Sequence, residues 1–279
     1  MGKKLLFIYN PHSGKGMIKN HLSDIVDIMV RAGFEVTVYS TQAQGDAIEK
    51  ARVEAAHFDR IVCSGGDGTL DEVVTGVMAS EYKVPIGYIP AGSTNDFGSS
   101  LGINKVMLEA AEIAANGKLF PVDIGDFNGD SFVYVAAFGI FTEVSYQTSQ
   151  ELKNALGHLA YILEAGKQLR DIPSYRMQVE YDGNVIYDEF IYGMITNSLS
   201  VGGMKGIIPG DIHLNDGVFE VTLVRMPRNP IELKEIVAFL TGIKKDTNQV
   251  YSFQTNDLKF TSMEPVAWTL DGEYGGDPD

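Results

Sequence analysis

The sequence Ser-Gly-Gly-Asp-Gly-Thr at residues 64–69 decides how the first half of this chain folds. It follows the run 59–63, which is typical of a buried strand, and it precedes residues 70–78, whose apolar positions have helical spacing. A strand, a glycine turn and a helix start direct backbone N–H groups and the positive helix end toward a phosphate. Asp67 adds a carboxylate, which suits a site that also contains a divalent cation or a sugar hydroxyl. The alternative is a tight strand–helix turn capped by Asp67.

The same order of strand, loop and helix recurs on both sides of this stretch. Predicted strands at residues 4–10, 33–41 and 84–90 are each followed by a small polar or glycine-containing loop and then a helix. In an open parallel sheet, the carboxyl ends of the strands share one edge, where ligands bind. The residues expected to converge there are Gly14, Thr41, Gly66, Thr69 and Thr94. For any single loop, ordinary turn chemistry would be explanation enough.

From about residue 120 the pattern changes to short strands separated by turn dipeptides. Asn128-Gly129 and Asp182-Gly183 predict hairpins across residues 120–135 and 175–187. Further strands are predicted at residues 217–225, 250–254, 258–261 and 266–270. We therefore predict an α/β nucleotide-binding domain with a parallel sheet and flanking helices, residues 1–122, followed by an antiparallel β-sandwich, residues 123–279.

Two helices interrupt the predicted strands of the second domain. Leu152, Leu156, Leu159 and Leu163 form a stripe that favours a core position, and a lipid-facing lid is the alternative. Asn229-Pro230 begins the second helix with a capping residue and a proline at the first helical position. The stripe and residues 207–209 are candidate membrane contacts.

Composition limits the class of protein. The net charge of −15 argues against nucleic acid as a partner and against strong adsorption to an anionic membrane. A single cysteine excludes an internal disulfide and favours a reducing compartment. No run approaches the roughly 20 apolar residues of a transmembrane segment, and no signal peptide is recognisable. We expect a cytoplasmic protein that works at the periphery of a membrane.

Two acidic turns in the second half could carry chemistry. Asp271 and Glu273 flank a glycine at the end of an apolar strand, where they could accept a proton from a hydroxyl or hold a metal. Residues 211–217 supply carboxylates, an amide and free backbone groups, as a hard cation requires. Plain Asp-Gly and Asn-Asp-Gly turns are the alternatives.

Five motifs, taken in chain order, make the chain resemble the diacylglycerol kinase catalytic-domain family, in particular the soluble bacterial lipid kinases related to sphingosine and ceramide kinases. The motifs are Asn-Pro-His-Ser-Gly at 10–14, Gly-Gly-Asp-Gly-Thr-Leu-Asp-Glu at 65–72, Pro-Ala-Gly-Ser-Thr-Asn-Asp-Phe at 90–97, Asn-Asp-Gly at 215–217 and Asp-Gly-Glu at 271–273. The Gly-Gly-Asp-Gly-Thr element alone is not specific, because NAD kinases and phosphofructokinases resemble it too.

The resemblance implies an ATP- and Mg²⁺-dependent lipid kinase that phosphorylates diacylglycerol or a related neutral lipid at a membrane surface, with its active site in the cleft between the domains. It implies ATP contacts from Asn10, Pro11, His12, Ser13, Gly14, Thr41, Gly66, Asp67, Gly68, Thr69, Leu70, Asp71, Glu72 and Thr94. Glu273 is expected to be the base, Asp271 beside it is also expected to be catalytic, and Asp67 is assigned a catalytic role near Mg²⁺. A structural Mg²⁺ is expected at Asp216, with backbone oxygens around His213 and Val218. A homodimer is one of the oligomeric states that the sequence allows.

Three departures from the family pattern are visible. Asp71 stands where the family usually has Asn, and Ser93 stands where it often has Thr. The family usually continues past the Asp-Gly-Glu turn, so we expect this chain, which ends at Asp279, to be truncated or to end differently. The alternatives to a lipid kinase are an NAD-kinase-like enzyme that phosphorylates a soluble nucleotide and a catalytically silent nucleotide- or lipid-binding regulator.

Overall fold

The chain divides into two units. The computed structural model describes residues 2–140, 169, 172–201, 204–205 and 212–277, so the predicted leucine stripe and residues 207–209 lie outside the described residues. Unit 1 comprises Met1–Pro121 and Gly125–Val133, and unit 2 comprises Val122–Ile124 and Tyr134–Asp279. Within the described part of the chain, no helix has the length and hydropathy needed to cross a membrane.

Unit 1 contains a four-stranded parallel sheet in the order β2-β1-β3-β4. The strands are β1 (Lys3–Tyr9), β2 (Phe34–Ser40), β3 (Arg60–Gly65) and β4 (Ile86–Pro90). Flanking helices are α1 (Ile18–Arg31), α2 (Asp46–Glu54), α3 (Asp67–Ala79), α4 (Asp96–Ser100) and α5 (Met107–Asn116). Leu5 and Phe7 of β1 pack with Ile25 of α1 and Ala110 of α5 in the core. The central strand β1 is buried on both faces, as its continuous apolar sequence predicts.

A small hairpin completes unit 1. It joins β5 (Gly125–Phe127) to β6 (Asp130–Phe132), and β6 packs against α3. The turn residues Asn128 and Gly129 have φ values of 55° and 98°, as a two-residue hairpin turn with two left-handed positions requires. The predicted strand across residues 120–124 is wrong. Pro121 has no N–H to donate, and the N–H of Asp123 donates to the Leu214 carbonyl instead of a neighbouring strand.

Unit 2 is built on an antiparallel sheet in the order β13-β12-β9-β7-β15-β16, and the pair β14-β8 joins it through β9. Its strands are β7 (Val135–Gly139), β8 (Tyr175–Tyr181), β9 (Asn184–Thr196), β12 (Phe219–Arg225), β13 (Val250–Thr255), β14 (Leu258–Ser262), β15 (Trp268–Leu270) and β16 (Glu273–Tyr274), while β10 (Ser200–Val201) and β11 (Met204–Lys205) form a separate pair. The predicted fold class, a parallel α/β domain plus an antiparallel β-sandwich, is confirmed.

The helix α6 (Pro230–Leu240) begins where the sequence predicts. Asn229 caps it, because its Oδ1 accepts the N–H groups of Ile231 and Glu232 at 3.0 Å each. Pro230 occupies the first helical position, where a missing N–H costs nothing.

An aromatic cluster fixes the strand that leads into the Asp-Gly-Glu turn. Trp268 is 3% exposed. Its ring centroid lies 4.8 Å from that of Phe138 and 5.1 Å from that of Phe260. Tilted and edge-to-face contacts of this kind are favourable beyond the apolar area that they bury. The cluster therefore gives β15 a fixed position in the sheet.

Candidate functional site

The glycine loops of unit 1 meet at the carboxyl edge of the parallel sheet. The N–H of Asn10 donates to the Ser64 carbonyl at 2.9 Å, and the N–H of Ala91 donates to the Gly65 carbonyl at 2.7 Å. The first residues after β1 and β4 are thus hydrogen-bonded to the last two residues of β3, so the loops that follow these strands start side by side. The convergence that the parallel order predicts is confirmed for these three loops.

Two glycines allow the loops to touch. Gly14 has a φ of 56°, and a Cβ there would overlap the carbonyl oxygen of Ala91. A Cβ on Gly92 would lie 2.6 Å from the Cα of Gly66, closer than real side chains come. Backbone therefore faces backbone where the loops meet, and this part of unit 1 can approach a ligand closely.

The first loop is shaped by an internal hydrogen bond. The Oδ1 of Asn10 accepts the N–H of His12 at 2.9 Å, which closes a turn of the kind that Asn side chains favour. Pro11, Ser13 and Gly14 are half-buried and His12 is exposed. Contacts of this loop with a nucleotide stay a prediction.

The start of α3 carries the stretch at residues 64–69. Gly66 is the N-cap residue, and Asp67 and Gly68 lie half-buried in the first turn. Thr69 and Leu70 are 8% and 3% exposed, so their side chains belong mostly to the interior. The 13-residue helix α3 begins here, and the positive end of its dipole favours an anion.

Glu72 connects α3 to α2. Its Oε1 accepts the N–H of Gly45 at 2.9 Å and its Oε2 accepts the N–H of Ala47 at 3.1 Å, so both oxygens cap the start of α2. The loop before α2 begins at Thr41, whose N–H donates to the Tyr9 carbonyl at 3.0 Å. Thr41 therefore lies at the same sheet edge as the glycine loops, and Glu72 supports the helix that follows it.

Three aspartates make the site acidic. The Oδ2 of Asp67 accepts the N–H of Asp96 at 3.1 Å, which places these two residues side by side. Asp96 is 2% exposed, and Asp71 is half-buried one helical turn beyond Asp67. Among the residues that the structure describes, no three His, Cys, Asp or Glu side chains form a metal cage. The carboxylate of Asp67 fits Mg²⁺, which is commonly held by one or two carboxylates together with substrate phosphates.

The sequence assigns Thr94 to the site but does not include three residues that shape its loop: Lys105, Asn95 and Tyr88. Lys105 donates from Nζ to the Thr94 carbonyl at 3.0 Å. Asn95 directly precedes α4, but its side chain bonds Gly92 and does not cap the helix. Its hydrogen-bond partner Tyr88 lies in β4. Asn95 has a left-handed φ of 52°, a conformation that Asn tolerates better than most residues. The residue type is therefore the local sequence signal for this turn.

In unit 2, the Asp-Gly-Glu turn is anchored by Asp271. This residue is 5% exposed, and its Oδ1 accepts the N–H groups of Tyr134 and Val135 at 2.9 Å each. The N–H of Asp271 also donates to the Val135 carbonyl at 2.8 Å. Glu273, two residues on, is exposed in β16. One carboxylate therefore holds the turn and the other is presented to solvent.

Asp123, a carboxylate that the sequence analysis did not assign to the predicted cation turn, contacts this turn. The Oδ1 of Asp216 accepts the N–H of Val218 at 3.3 Å, and the N–H of Gly217 donates to Oδ2 of Asp123 at 2.6 Å. His213 is exposed. Carboxylate and backbone oxygens are the donor set that Mg²⁺ or Ca²⁺ prefers, so the residues present fit a hard cation at Asp216.

Comparison with known proteins finds a family match for each half of the chain. Residues 4–127 match the diacylglycerol kinase catalytic domain, and residues 135–278 match the YegS C-terminal NAD kinase beta sandwich-like domain. A diacylglycerol kinase of Bacillus subtilis (strain 168) is 35% identical over 276 residues, which cover 98% of this chain and 91% of that protein. One of Staphylococcus carnosus (strain TM300) is 36% identical, with coverage of 99% and 90%.

Solved structures agree with the sequence matches. A crystal structure of a diacylglycerol kinase from Bacillus anthracis aligns with a TM-score of 0.77 at 25% identity, covering 99% of this chain and 92% of the other. A second structure from that organism aligns with a TM-score of 0.80 at 27% identity, with coverage of 98% and 90%. With full-length relatives above 30% identity and both family models in order, the chain belongs to the diacylglycerol kinase family.

Proposed function

We propose that this protein is an ATP-dependent lipid kinase that transfers the γ-phosphoryl group to the hydroxyl of diacylglycerol or a related neutral lipid, giving phosphatidic acid or a related lipid phosphate. The observation that carries the proposal is the meeting of three glycine loops at the sheet edge of unit 1. Backbone N–H groups and a helix N-terminus together can bind a polyphosphate. Membership of the family supports the choice of acceptor.

Phosphoryl transfer depends mainly on positioning the reactants and on neutralising charge. We therefore assign a role to each site residue from its position in the structure. In the proposal, the loops at 10–14, 66–72 and 94, with Thr41, bind ATP. Asp67 and Asp96 would hold Mg²⁺, and this ion would supply the positive charge that offsets the phosphates and the acidic loops. A second Mg²⁺ at Asp216, with backbone oxygens of His213 and Val218, would be structural.

Glu273 is proposed as the general base that accepts the proton of the lipid hydroxyl. It is the exposed carboxylate of the Asp-Gly-Glu turn, whereas Asp271 is buried and accepts two backbone N–H groups. Asp271 therefore acts as a positioning residue that fixes the turn. A base must reach its proton within hydrogen-bonding distance, and a fixed turn serves this requirement.

Transfer of label from γ-³²P-ATP tests the function directly. Wild type and Glu273→Gln are assayed with Mg²⁺ and mixed micelles of diacylglycerol, ceramide or sphingosine, and with NAD as a soluble acceptor. We expect the wild type to label a lipid and Glu273→Gln to be slower by about 10²–10⁴-fold, the usual contribution of a general base. Glu264→Gln changes another exposed glutamate of unit 2 and should leave the rate unchanged.

The outcomes separate the parts of the proposal. Label on NAD but on no lipid would make the enzyme an NAD kinase. No label on any acceptor, despite ATP binding, would favour a silent regulator. Equal rates for wild type and Glu273→Gln would remove Glu273 from the role of base and leave the lipid kinase assignment in place.

A further inference from the structure

We infer that Asn95 and Tyr88 are positioning residues of the nucleotide site, which hold the loop at residues 91–96 against the start of α3. The inference rests on the proposed ATP site and assigns roles to two residues outside its predicted contacts. Both side chains are buried, with 2% and 4% of their surfaces exposed. Neither can contact bulk solvent, so their polar atoms serve groups within the protein.

Asn95 closes its loop from both sides. Its Oδ1 accepts the N–H of Gly92 at 2.8 Å, and its Nδ2 donates to the Gly92 carbonyl at 2.7 Å. One amide therefore satisfies both backbone polar groups of a single glycine. Asn95 has a left-handed φ of 52°, which Asn and Gly tolerate well.

Tyr88 joins the loop to the neighbouring strand end. Its hydroxyl lies 3.2 Å from Oδ1 of Asn95 and 3.2 Å from the carbonyl oxygen of Gly65. The phenol is positioned to donate its proton to either acceptor. Burial, and next the negative charge of Asp67, hold the pKa of Tyr88 well above its ordinary value, so the hydroxyl stays a neutral donor.

The two residues act on the point where the loops touch. Asn95 holds Gly92, which faces Gly66. The carbonyl oxygen of Gly65 lies within hydrogen-bonding distance of the Tyr88 hydroxyl. Gly66 is the N-cap of α3, where the proposed phosphate contacts begin. Loss of either side chain would allow the Gly92 loop to move relative to Gly66. The spacing of N–H groups that preorganises phosphate binding would then be lost.

The test uses the full chain and compares each variant with a chemically matched control. Tyr88→Phe removes one hydroxyl, and Tyr251→Phe removes another that donates to Asp188 in unit 2. Asn95→Gly removes an amide while keeping a left-handed residue, and Asn128→Gly does the same at the hairpin turn, where φ is 55°. ATP affinity is measured by calorimetry, and KM for ATP, KM for diacylglycerol and kcat are measured separately, together with the melting temperature.

We expect Tyr88→Phe to weaken ATP binding about two- to tenfold, the range produced by losing one neutral hydrogen bond. Asn95→Gly loses more than one hydrogen bond, so it should weaken ATP binding at least as much. KM for the lipid should stay at the wild-type value, and the controls should leave ATP affinity unchanged. The loss of ATP affinity in the double variant should be smaller than the product of the two single losses, because the two side chains share one hydrogen bond.

Unchanged ATP affinity and KM in both variants, even with a lower melting temperature, would overturn the inference and reduce these residues to a purely structural role. Equal weakening by the control variants would do the same. If the wild type binds ATP but phosphorylates no lipid, the proposed function fails while calorimetry still tests this inference. Absence of ATP binding by the wild type would overturn both.

Discussion

Asp271 and Glu273 belong to one turn but have opposite environments. Asp271 is 5% exposed and accepts two backbone N–H groups, whereas Glu273 is exposed. A buried carboxylate with fixed partners is suited to holding structure, and an exposed one can meet a substrate. The turn therefore divides support and chemistry between its two acids.

Asp271→Ala should destabilise the protein by about 3 kcal/mol, because two hydrogen bonds to a charged acceptor are lost and buried N–H groups remain unpaired. Asp271→Asn keeps an oxygen acceptor and tolerates the left-handed φ of 51°, so it should retain most activity. Urea unfolding and the lipid kinase assay measure both effects. An Asp271→Asn protein of normal stability that is as inactive as Glu273→Gln would make Asp271 a reacting group.

Glu220 is a buried carboxyl group in β12 of unit 2. It is 4% exposed, and Gln254 donates to its Oε1 at 3.1 Å, while Oε2 has no hydrogen-bond partner in the described part of the chain. Burial raises the pKa of Glu220 above its ordinary value of 4.5, and nearby Asp216 raises it further, whereas Gln254 and His213 lower it. The folded protein thus binds this proton more tightly than the unfolded chain.

Because the pKa of Glu220 is raised on folding, the stability that its proton contributes decreases as the pH rises. The stability that the Glu220 proton contributes is fully present below the unfolded pKa of 4.5 and is lost as pH rises through the folded pKa. Glu220→Gln removes this titration, so its unfolding free energy should fall less steeply across that interval than that of the wild type. Urea unfolding from pH 4 to 8 measures it, with Glu264→Gln as an exposed control. Parallel profiles for wild type and Glu220→Gln would contradict the assignment.

At the scale of elements, α2 and α3 are coupled by one side chain. Glu72 of α3 accepts N–H groups of Gly45 and Ala47 at the start of α2. A carboxylate at a helix N-terminus satisfies free N–H groups and interacts favourably with the helix dipole. The family resemblance implies that Glu72 contacts ATP. In the structure, both oxygens of the Glu72 carboxylate accept backbone N–H groups at the start of α2.

Glu72→Gln should lower the unfolding free energy by about 1 kcal/mol, because an amide nitrogen cannot accept the second N–H and the charge is lost. Thermal or urea unfolding measures the change. Glu49→Gln on α2, which breaks only an exposed ion pair with Arg52, should cost less than about 0.5 kcal/mol. Equal losses for the two variants would show that Glu72 is not a capping residue.

The elements themselves were largely predictable, and the reason is local. Asn128-Gly129 and Asp182-Gly183 mark hairpin turns because all four residues adopt positive φ, which these residue types tolerate. Asn229-Pro230 marks a helix start by its own side chain and ring. The predicted strand at residues 120–124 failed because Asp123 makes its contacts with Leu214 and Asn197, which no local pattern reveals.

At the scale of the whole molecule, the site depends on contacts between distant parts of the chain. The parallel order of strands predicts that the glycine loops meet, because strand ends share an edge. The bond from Tyr134 to Asp271 spans 137 residues, and that from Tyr88 to Gly65 spans 23. Such partners follow from the folded arrangement, so the roles of Asp271, Tyr88 and Asn95 could be assigned only from structure.

Binding of ATP should protect unit 1 in particular. All residues expected to contact ATP lie in unit 1, so hydrogen exchange with ATP and Mg²⁺ should slow at residues 10–14, 41, 66–72 and 94. Ligand at about 100 times its Kd should stabilise the folded state by about 2.7 kcal/mol. Exchange mass spectrometry and a thermal melt test both. Protection confined to unit 2 would contradict the assignment of the nucleotide site.

The aromatic cluster around Trp268 gives the molecule a built-in optical reporter. Trp268 is the only tryptophan of the chain, so intrinsic tryptophan emission arises from a single buried point in unit 2, next to the turn that carries Glu273. A red shift of that emission signals water entering between Trp268, Phe138 and Phe260. Fluorescence therefore follows the opening of this sheet without any label, while loss of unit 1 is followed by a different signal, such as the circular dichroism of its helices.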